Sequence, residues 1–192
     1  MVKVLGISAS PRKSGNSDTL LEGFLSGARQ AGASVEKLVL NDLAFRPCQE
    51  CGGCDKTGVC VLSDDLTAVY EKVARADVIA IATPLFFRSV SAQAKMMIDR
   101  FHCLWVAANI LKMPPRPKGA RGVFICASAD TKEGACDSAR SLVRIFFNTI
   151  GMSLSDELVC SGVDAAGDIQ KREDALKAAA DLGRSMALPR KD

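Results

Sequence analysis

Val78-Ile79-Ala80-Ile81-Ala82 is a run of five apolar side chains with no polar position between them. A strand with one wet face alternates apolar and polar residues. A run without alternation belongs to a strand covered on both sides. Such a strand needs helices above and below its sheet. The rest of the chain supplies the strand and helix patterns in turn. Val2 to Ile7 reads as a first strand. A helix follows from about Ser17, with Leu20, Leu21, Phe24, Leu25 and Ala28 on one face and Asn16 or Ser17 as its cap. Val35 to Leu40 is a second strand. Asp64-Asp65 opens a helix carrying Leu66, Val69, Tyr70 and Val73, with two acids in a first turn that suits the helix dipole.

After the central strand, a helix runs from about Ser91 to Phe101 or beyond, past Met96, Met97 and Ile98, with both methionines in the core. Lys112 to Gly119 contains three prolines and reads as a loop. Gly122 to Ala127 is a fourth strand, Ser138 to Ile150 a helix, Leu154 to Cys160 a fifth strand and Ile169 to Met186 a last helix; Pro189 to Asp192 is a frayed end. Five strand–helix alternations imply an α/β fold with a parallel five-stranded sheet. One domain over 1–192 is expected, with a cysteine-rich insertion at about 41–63. Open sheets of this kind bind ligands beyond the carboxyl ends of their strands, where strand order reverses. The loops after strands one, three and four are therefore the candidate site.

The loop after strand one reads Ser8-Ala9-Ser10-Pro11-Arg12-Lys13-Ser14-Gly15-Asn16-Ser17. Hydroxyls, a helix N-terminus and an arginine suit a dianionic phosphate. Neither a triphosphate-binding P-loop nor a dinucleotide G-x-G-x-x-G is present, so a monophosphate fits better. A plain polar loop is the competing reading. Asp18 would oppose the phosphate unless it turns away.

Between the second strand and the second helix lie Cys48, Cys51, Cys54 and Cys60, spaced C-x2-C-x2-C-x5-C. Three thiols at three-residue steps and a fourth returning past Gly58 suit an iron–sulfur cluster. Structural zinc prefers two separated C-x2-C knuckles. A redox dithiol, or no metal at all, stays open. The other cysteines are scattered; Cys126 and Cys160 lie in apolar runs and read as buried small hydrophobes.

A net charge of +3 and 5% aromatic residues give no basis for a nucleic-acid partner, and no apolar run is long enough for a membrane partner. With no signal peptide at its start and no disulfide framework, the chain is expected in the cytoplasm.

Gly6-Ile7-Ser8-Ala9-Ser10-Pro11-Arg12 with Gly15-Asn16-Ser17 resembles the opening of the NADPH-dependent FMN reductase family. Thr83-Pro84-Leu85-Phe86-Phe87, then Ser89 to Lys95 and Ile98-Asp99-Arg100-Phe101, resembles its second signature. The cysteine run, with Asp64-Asp65 soon after it, resembles the iron–sulfur flavoprotein branch. The resemblance implies a flavodoxin-like three-layer sandwich with strand order 2-1-3-4-5, bound FMN, and homodimers or homotetramers. It implies that Ser8, Ser10, Arg12, Asn16 and Ser17 hold the FMN phosphate. Pro84, Leu85, Phe86 and Phe87 would line the ribityl chain and ring, with Ser128 in the loop after strand four as a further contact. Cys48, Cys51, Cys54 and Cys60 would hold a [4Fe-4S] cluster. Two departures stand out: Phe86 where many members carry Tyr, and a 127–134 loop without the usual glycine pair.

The expected function is an FMN-dependent oxidoreductase passing electrons between FMN, the cluster and an external carrier such as ferredoxin. The alternatives are a cluster-free NAD(P)H-dependent FMN or quinone reductase, a non-enzymatic FMN carrier or redox sensor, and a zinc-stabilised interaction domain. His102 reads as structural or as part of a subunit contact. Trp105, with Phe101 and Leu104, reads as interface or core, and Arg88 as an exposed loop arginine or a nicotinamide-phosphate contact.

Overall fold

The computed structural model describes residues 1–113 and 119–188. The proline-rich loop expected over 112–119 falls largely outside the described residues, and the frayed tail at 189–192 wholly outside them. The strands are β1 (Lys3–Ser8), β2 (Ser34–Val39), β3 (Val78–Pro84), β4 (Arg121–Ser128) and β5 (Ser153–Ser161). The helices are α1 (Asn16–Gln30), α2 (Leu66–Arg75), α3 (Ala92–Arg100), α4 (His102–Asn109), α5 (Asp137–Thr149) and α6 (Glu173–Ala187). All strand pairings are parallel, in the order β2-β1-β3-β4-β5. This is the flavodoxin-like sandwich expected from the sequence.

Burial explains why these strands stay together. Every residue of β3 from Val78 to Thr83 is buried. Leu5, Ile7, Ile79, Ile81 and Phe124 face a core made with α2, α3 and α5. Val4, Val78, Ala80, Val123 and Ile125 face a second core made with α1 and α6. The chain leaves β1 for β2 on one side and returns to β3 on the other, so the order reverses between β1 and β3. Their carboxyl ends are stitched by the Ala9 N–H donating to the Ala82 carbonyl at 2.8 Å.

Several boundaries differ from the sequence reading. Neither Asn16 nor Ser17 caps α1; Gly15 takes the N-cap position without a side-chain bond, and Asn16 is engaged elsewhere. Asp64 and Asp65 precede α2 rather than filling its first turn, and Asp64 turns toward a buried arginine. The last helical stretch divides into a 3₁₀ turn, Asp168–Lys171, and α6.

The helix expected to run past Phe101 is broken there into α3 and α4. The Arg100 carbonyl accepts the Tyr70 hydroxyl at 2.9 Å and faces the Cys103 thiol at 3.5 Å. The Leu104 N–H, which would continue the ladder to Arg100, bonds the Phe101 carbonyl at 2.9 Å instead. Phe101 itself packs between Tyr70 and Phe146, with ring centroids 4.7 and 5.3 Å away.

Helices α1 and α6 touch backbone to backbone. A Cβ on Gly183 would lie 1.9 Å from the Phe24 carbonyl oxygen, and one on Gly27 equally close to the Ala180 carbonyl oxygen. Intrinsic propensity favours Ala over Gly in a helix by about 1 kcal/mol, but this contact opposes it. Gly183→Ala is expected to cost about 2–3 kcal/mol net and to lower the melting temperature by roughly 4–12 °C. A thermal melt that rises would show that the two helices can separate freely.

Candidate functional site

The β1–α1 loop forms a compact polar turn. Ser10 Oγ donates to the Arg12 carbonyl at 2.9 Å and accepts the Arg12 N–H at 3.1 Å. Asn16 reaches across to the segment after β5: its Nδ2 donates to the Ala165 carbonyl at 3.0 Å, and its Oδ1 accepts the Ile169 N–H at 3.2 Å. Arg12 Nη1 reaches the Asp164 carbonyl at 3.5 Å. Ser17 Oγ is buried and has no hydrogen-bond partner. Asp18 does not confront the loop, because its carboxylate pairs with Lys37 at 2.7 Å, as does Glu22.

A cavity of about 140 Å³ brings Ser10, Arg12, Asn16 and Ser17 together with Pro84, Leu85 and Phe86. Ser8 and Ser128 are buried at the ends of β1 and β4, outside that lining. Phe87 also stands outside it, fully exposed at the tip of a tight hairpin turn. There the Phe86 and Ser89 backbones exchange two 2.9 Å hydrogen bonds, and Phe87 and Arg88 both have positive φ. Two positive φ values mark the mirror-image turn that glycine or asparagine usually occupies, so the backbone here is strained. Arg88 lies 3.5 Å from Asp130 in the β4–α5 loop. The Thr83 hydroxyl accepts the Ser91 N–H at 3.0 Å, and Ser91 Oγ donates to the Ala9 carbonyl at 2.7 Å. These two hydroxyls tie the β1 and β3 loops together.

The cysteine segment, residues 43–65, contains no helix or strand. Its frame is Asp64, Asp65 and Arg100. Asp65 accepts the Ala44 N–H at 2.7 Å, and Asp64 accepts those of Arg46 and Leu66 at 3.2 Å. The Arg100 side chain is fully buried and pairs with Asp64 at 2.6 Å. Burial opposes ionisation of Asp64, but Arg100 and the two backbone N–H groups outweigh it and hold the carboxyl below its usual range. Gly58, with φ of 69°, presses on α4, where a Cβ would lie 2.6 Å from that of Ala107.

All four thiols line one cavity of about 220 Å³, which Arg100, His102 and Cys103 also line. Cys51 is exposed and the others are half-buried. Among the described residues, no three His, Cys, Asp or Glu side chains are disposed to hold a metal ion. Cys103 is a fifth thiol here, buried and pushed up by that burial. Cys126 and Cys160 are buried as expected, and Cys126 lies 3.8 Å from Cys136, thiol to thiol. His102 stacks on Trp105 at 5.4 Å, and both rings are exposed.

Sequence reasoning assigned no role to Arg100 or Cys103. A signal existed: Arg100 falls three residues after Met97, on the buried stripe of its helix, where a lone cation requires partners.

The family model for NADPH-dependent FMN reductase matches residues 2–161. The chain belongs to this family. As a member of the NADPH-dependent FMN reductase family it is a flavin-dependent oxidoreductase. It is 30% identical to an iron-sulfur flavoprotein of Methanocaldococcus jannaschii, over 97% of this chain and 96% of that relative. It is 34% identical to an iron-sulfur flavoprotein of Methanosarcina thermophila, over 52% of each. Among solved structures, an NAD(P)H:quinone oxidoreductase from Methanothermobacter marburgensis superposes with a TM-score of 0.77 over 99% of both chains at 23% identity. An FMN-dependent NADH-azoreductase from Bacillus anthracis, in complex with FMN, superposes at 0.66 over 98% of this chain and all of that one, at 17% identity. The two solved structures share the fold of this reductase-family chain.

In this family member the Asp64–Arg100 pair is expected to hold the cysteine segment in place. Asp64→Ala leaves a buried guanidinium uncompensated and should cost about 3 kcal/mol or more. Proteolysis within residues 46–62 should accelerate. Because the folded state lowers the Asp64 pKa, its contribution is present above the ordinary value of 3.8 and lost as pH falls through the lowered folded value. Unchanged cleavage in the variant would assign the segment's order to other contacts.

Proposed function

We propose that this chain binds FMN with its phosphate in the β1–α1 loop and its ring against Pro84, Leu85 and Phe86. We further propose that Cys48, Cys51, Cys54 and Cys60 hold a [4Fe-4S] cluster as a second redox centre of the same domain. The observation that carries the phosphate assignment is Ser17 Oγ, a buried hydroxyl without a partner at the positive end of a 15-residue helix. Buried hydroxyls almost always have partners, and a phosphate oxygen provides one. For the cluster, the fit lies in the donor set: four thiols on one cavity, with a buried cation beside them. A zinc ion bound at about 2.3 Å draws its sulfurs into a small tetrahedron, whereas an iron–sulfur core is wider and brings its own sulfides between the thiolates. The iron-sulfur flavoprotein names of the relatives support the same reading.

When bound, the flavin supplies two-electron and one-electron transfer and the cluster one-electron storage. The chain's residues do the positioning. Arg12 supplies positive charge beside the phosphate and is steadied by the Asp164 carbonyl. Asn16 acts through its tie to Ala165 and Ile169 and holds the loop in shape. Lys37 neutralises Asp18, so the first turn of α1 stays receptive to an anion. Ser8 and Ser128 stay buried at two strand ends and Phe87 stands exposed at the turn tip, so none of the three lines the proposed FMN cavity.

Electrons would arrive from NAD(P)H or a reduced carrier such as ferredoxin. A cluster-free NAD(P)H-dependent reductase is the second reading, favoured by the fold shared with the quinone oxidoreductase. A homodimer or homotetramer is proposed because Trp105 and Ile145 stand exposed around a groove of about 660 Å³ beside the cysteine segment. Reduced free thiols suit a cytoplasmic setting, and among the described residues no helix is long and apolar enough to cross a membrane.

Ser17→Ala is expected to weaken FMN binding by about 1.5–3 kcal/mol, roughly 10- to 100-fold, in a fluorescence titration. The flavin-free variant should melt no lower than the parent, since the change removes an unpartnered buried hydroxyl. Unchanged affinity would move the phosphate elsewhere. Protein prepared without oxygen and reconstituted with iron and sulfide is expected to carry four irons per chain and to sediment as two or four chains. Cys51→Ser should lose the iron and keep FMN. An iron-free parent would leave the cluster-free reductase.

A further inference from the structure

Arg100 has five N–H donors, and four have partners. Nη1 donates to the Arg46 carbonyl at 2.7 Å and to Asp64 at 2.6 Å. Nη2 donates to the Leu62 carbonyl at 3.4 Å and to the other Asp64 oxygen at 3.2 Å. The fifth, on Nε, is buried and has no partner. Arg46 lies two residues before Cys48 and Leu62 two residues after Cys60, so one guanidinium gathers both ends of the cysteine run. Arg100 is also one of the residues that line the cavity shared by the four thiols. A fully buried cation that closes the neck of a loop and keeps one donor unused is built for an acceptor inside that loop. The acceptor chemistry on that cavity is sulfur, since four of its lining residues are the run's cysteines.

We propose that Arg100 Nε–H donates a hydrogen bond to sulfur, thiolate or sulfide, at the cysteine site and raises the reduction potential of the cluster held there. The proposal rests on the cluster reading of that site. Hydrogen bonds to cluster sulfurs withdraw electron density and favour the reduced state. Asp64 neutralises the net charge of Arg100, so the effect comes from the directed N–H group and not from a free positive charge. Lysine in this place would keep the charge and lose the planar fork. Arg100 is thus a positioning residue for the neck of the loop and a direct partner of its contents.

The experiment uses full-length protein, reconstituted anaerobically and assayed for iron and sulfide. One sample carries ¹⁵N at arginine Nε, and the cluster is reduced with dithionite. Electron spin-echo spectroscopy of the reduced cluster is expected to show a ¹⁵N coupling that Arg100→Lys abolishes. Titration of an iron-replete Arg100→Lys protein should show its electron-sharing equilibrium moved at least tenfold toward the oxidised cluster, about 59 mV for one electron. Iron-replete parent protein without the coupling, or a coupling that survives in Arg100→Lys, overturns the hydrogen bond while leaving the cluster intact. If Arg100→Lys cannot retain iron, the labelled parent alone decides through its coupling. A parent that takes up no iron overturns the cluster reading, and this inference falls with it.

Discussion

Water has no access to the middle of this sheet. Strand β3 is buried along nearly its whole length, and β1 and β4 flank it under helices on both faces. Polar chemistry placed within those strands would carry the full desolvation penalty. It is therefore displaced to the carboxyl ends, where Ser8, Thr83 and Ser128 mark the transition from core to loop. The reversal of strand order between β1 and β3 opens the gap into which those loops fold. Site and core follow from the same burial.

Among the described residues, one large polar side chain escapes that rule. Arg100 sits on the inner side of α3, and its backbone and side chain each shape a neighbouring segment. Its carbonyl leaves the helical ladder for the Tyr70 hydroxyl, and α4 starts afresh after Phe101. Its guanidinium takes carbonyls from both sides of the cysteine run. A segment without helix or strand is thus ordered by a cation, two carboxylates and a glycine pressed against α4. Leu43 and Phe45 anchor its first residues against the core as well.

How legible this was depends on how local the cause is. The apolar run of β3, the helical stripe of α1 and the alternation of elements are written within a few neighbouring residues, and a parallel α/β sheet could be read from them; the strand order came with the family resemblance. The serine-rich loop and the cysteine run were legible as motifs. The role of Asn16 was not, because its partners Ala165 and Ile169 lie about 150 positions away. Likewise Asp64 and Asp65 look like helix-opening acids until Arg100, 36 positions on, is known to face Asp64. The break at Phe101 was invisible for the same reason: its cause is a hydroxyl on another helix. Phe87 read as a cavity wall because its neighbours are, yet a turn with two left-handed residues swings it outward.

The tie between Asn16 and the segment after β5 bears on how the molecule is made. A ribosome emits the serine-rich loop about 150 residues before the bracing carbonyls at 164 and 165. Helix α6, which wedges against α1 through paired glycines, comes later still. The nascent N-terminal half therefore waits as an unfinished cup. On the proposed site, FMN would be captured only after residues 164 and 165 have emerged to brace the loop.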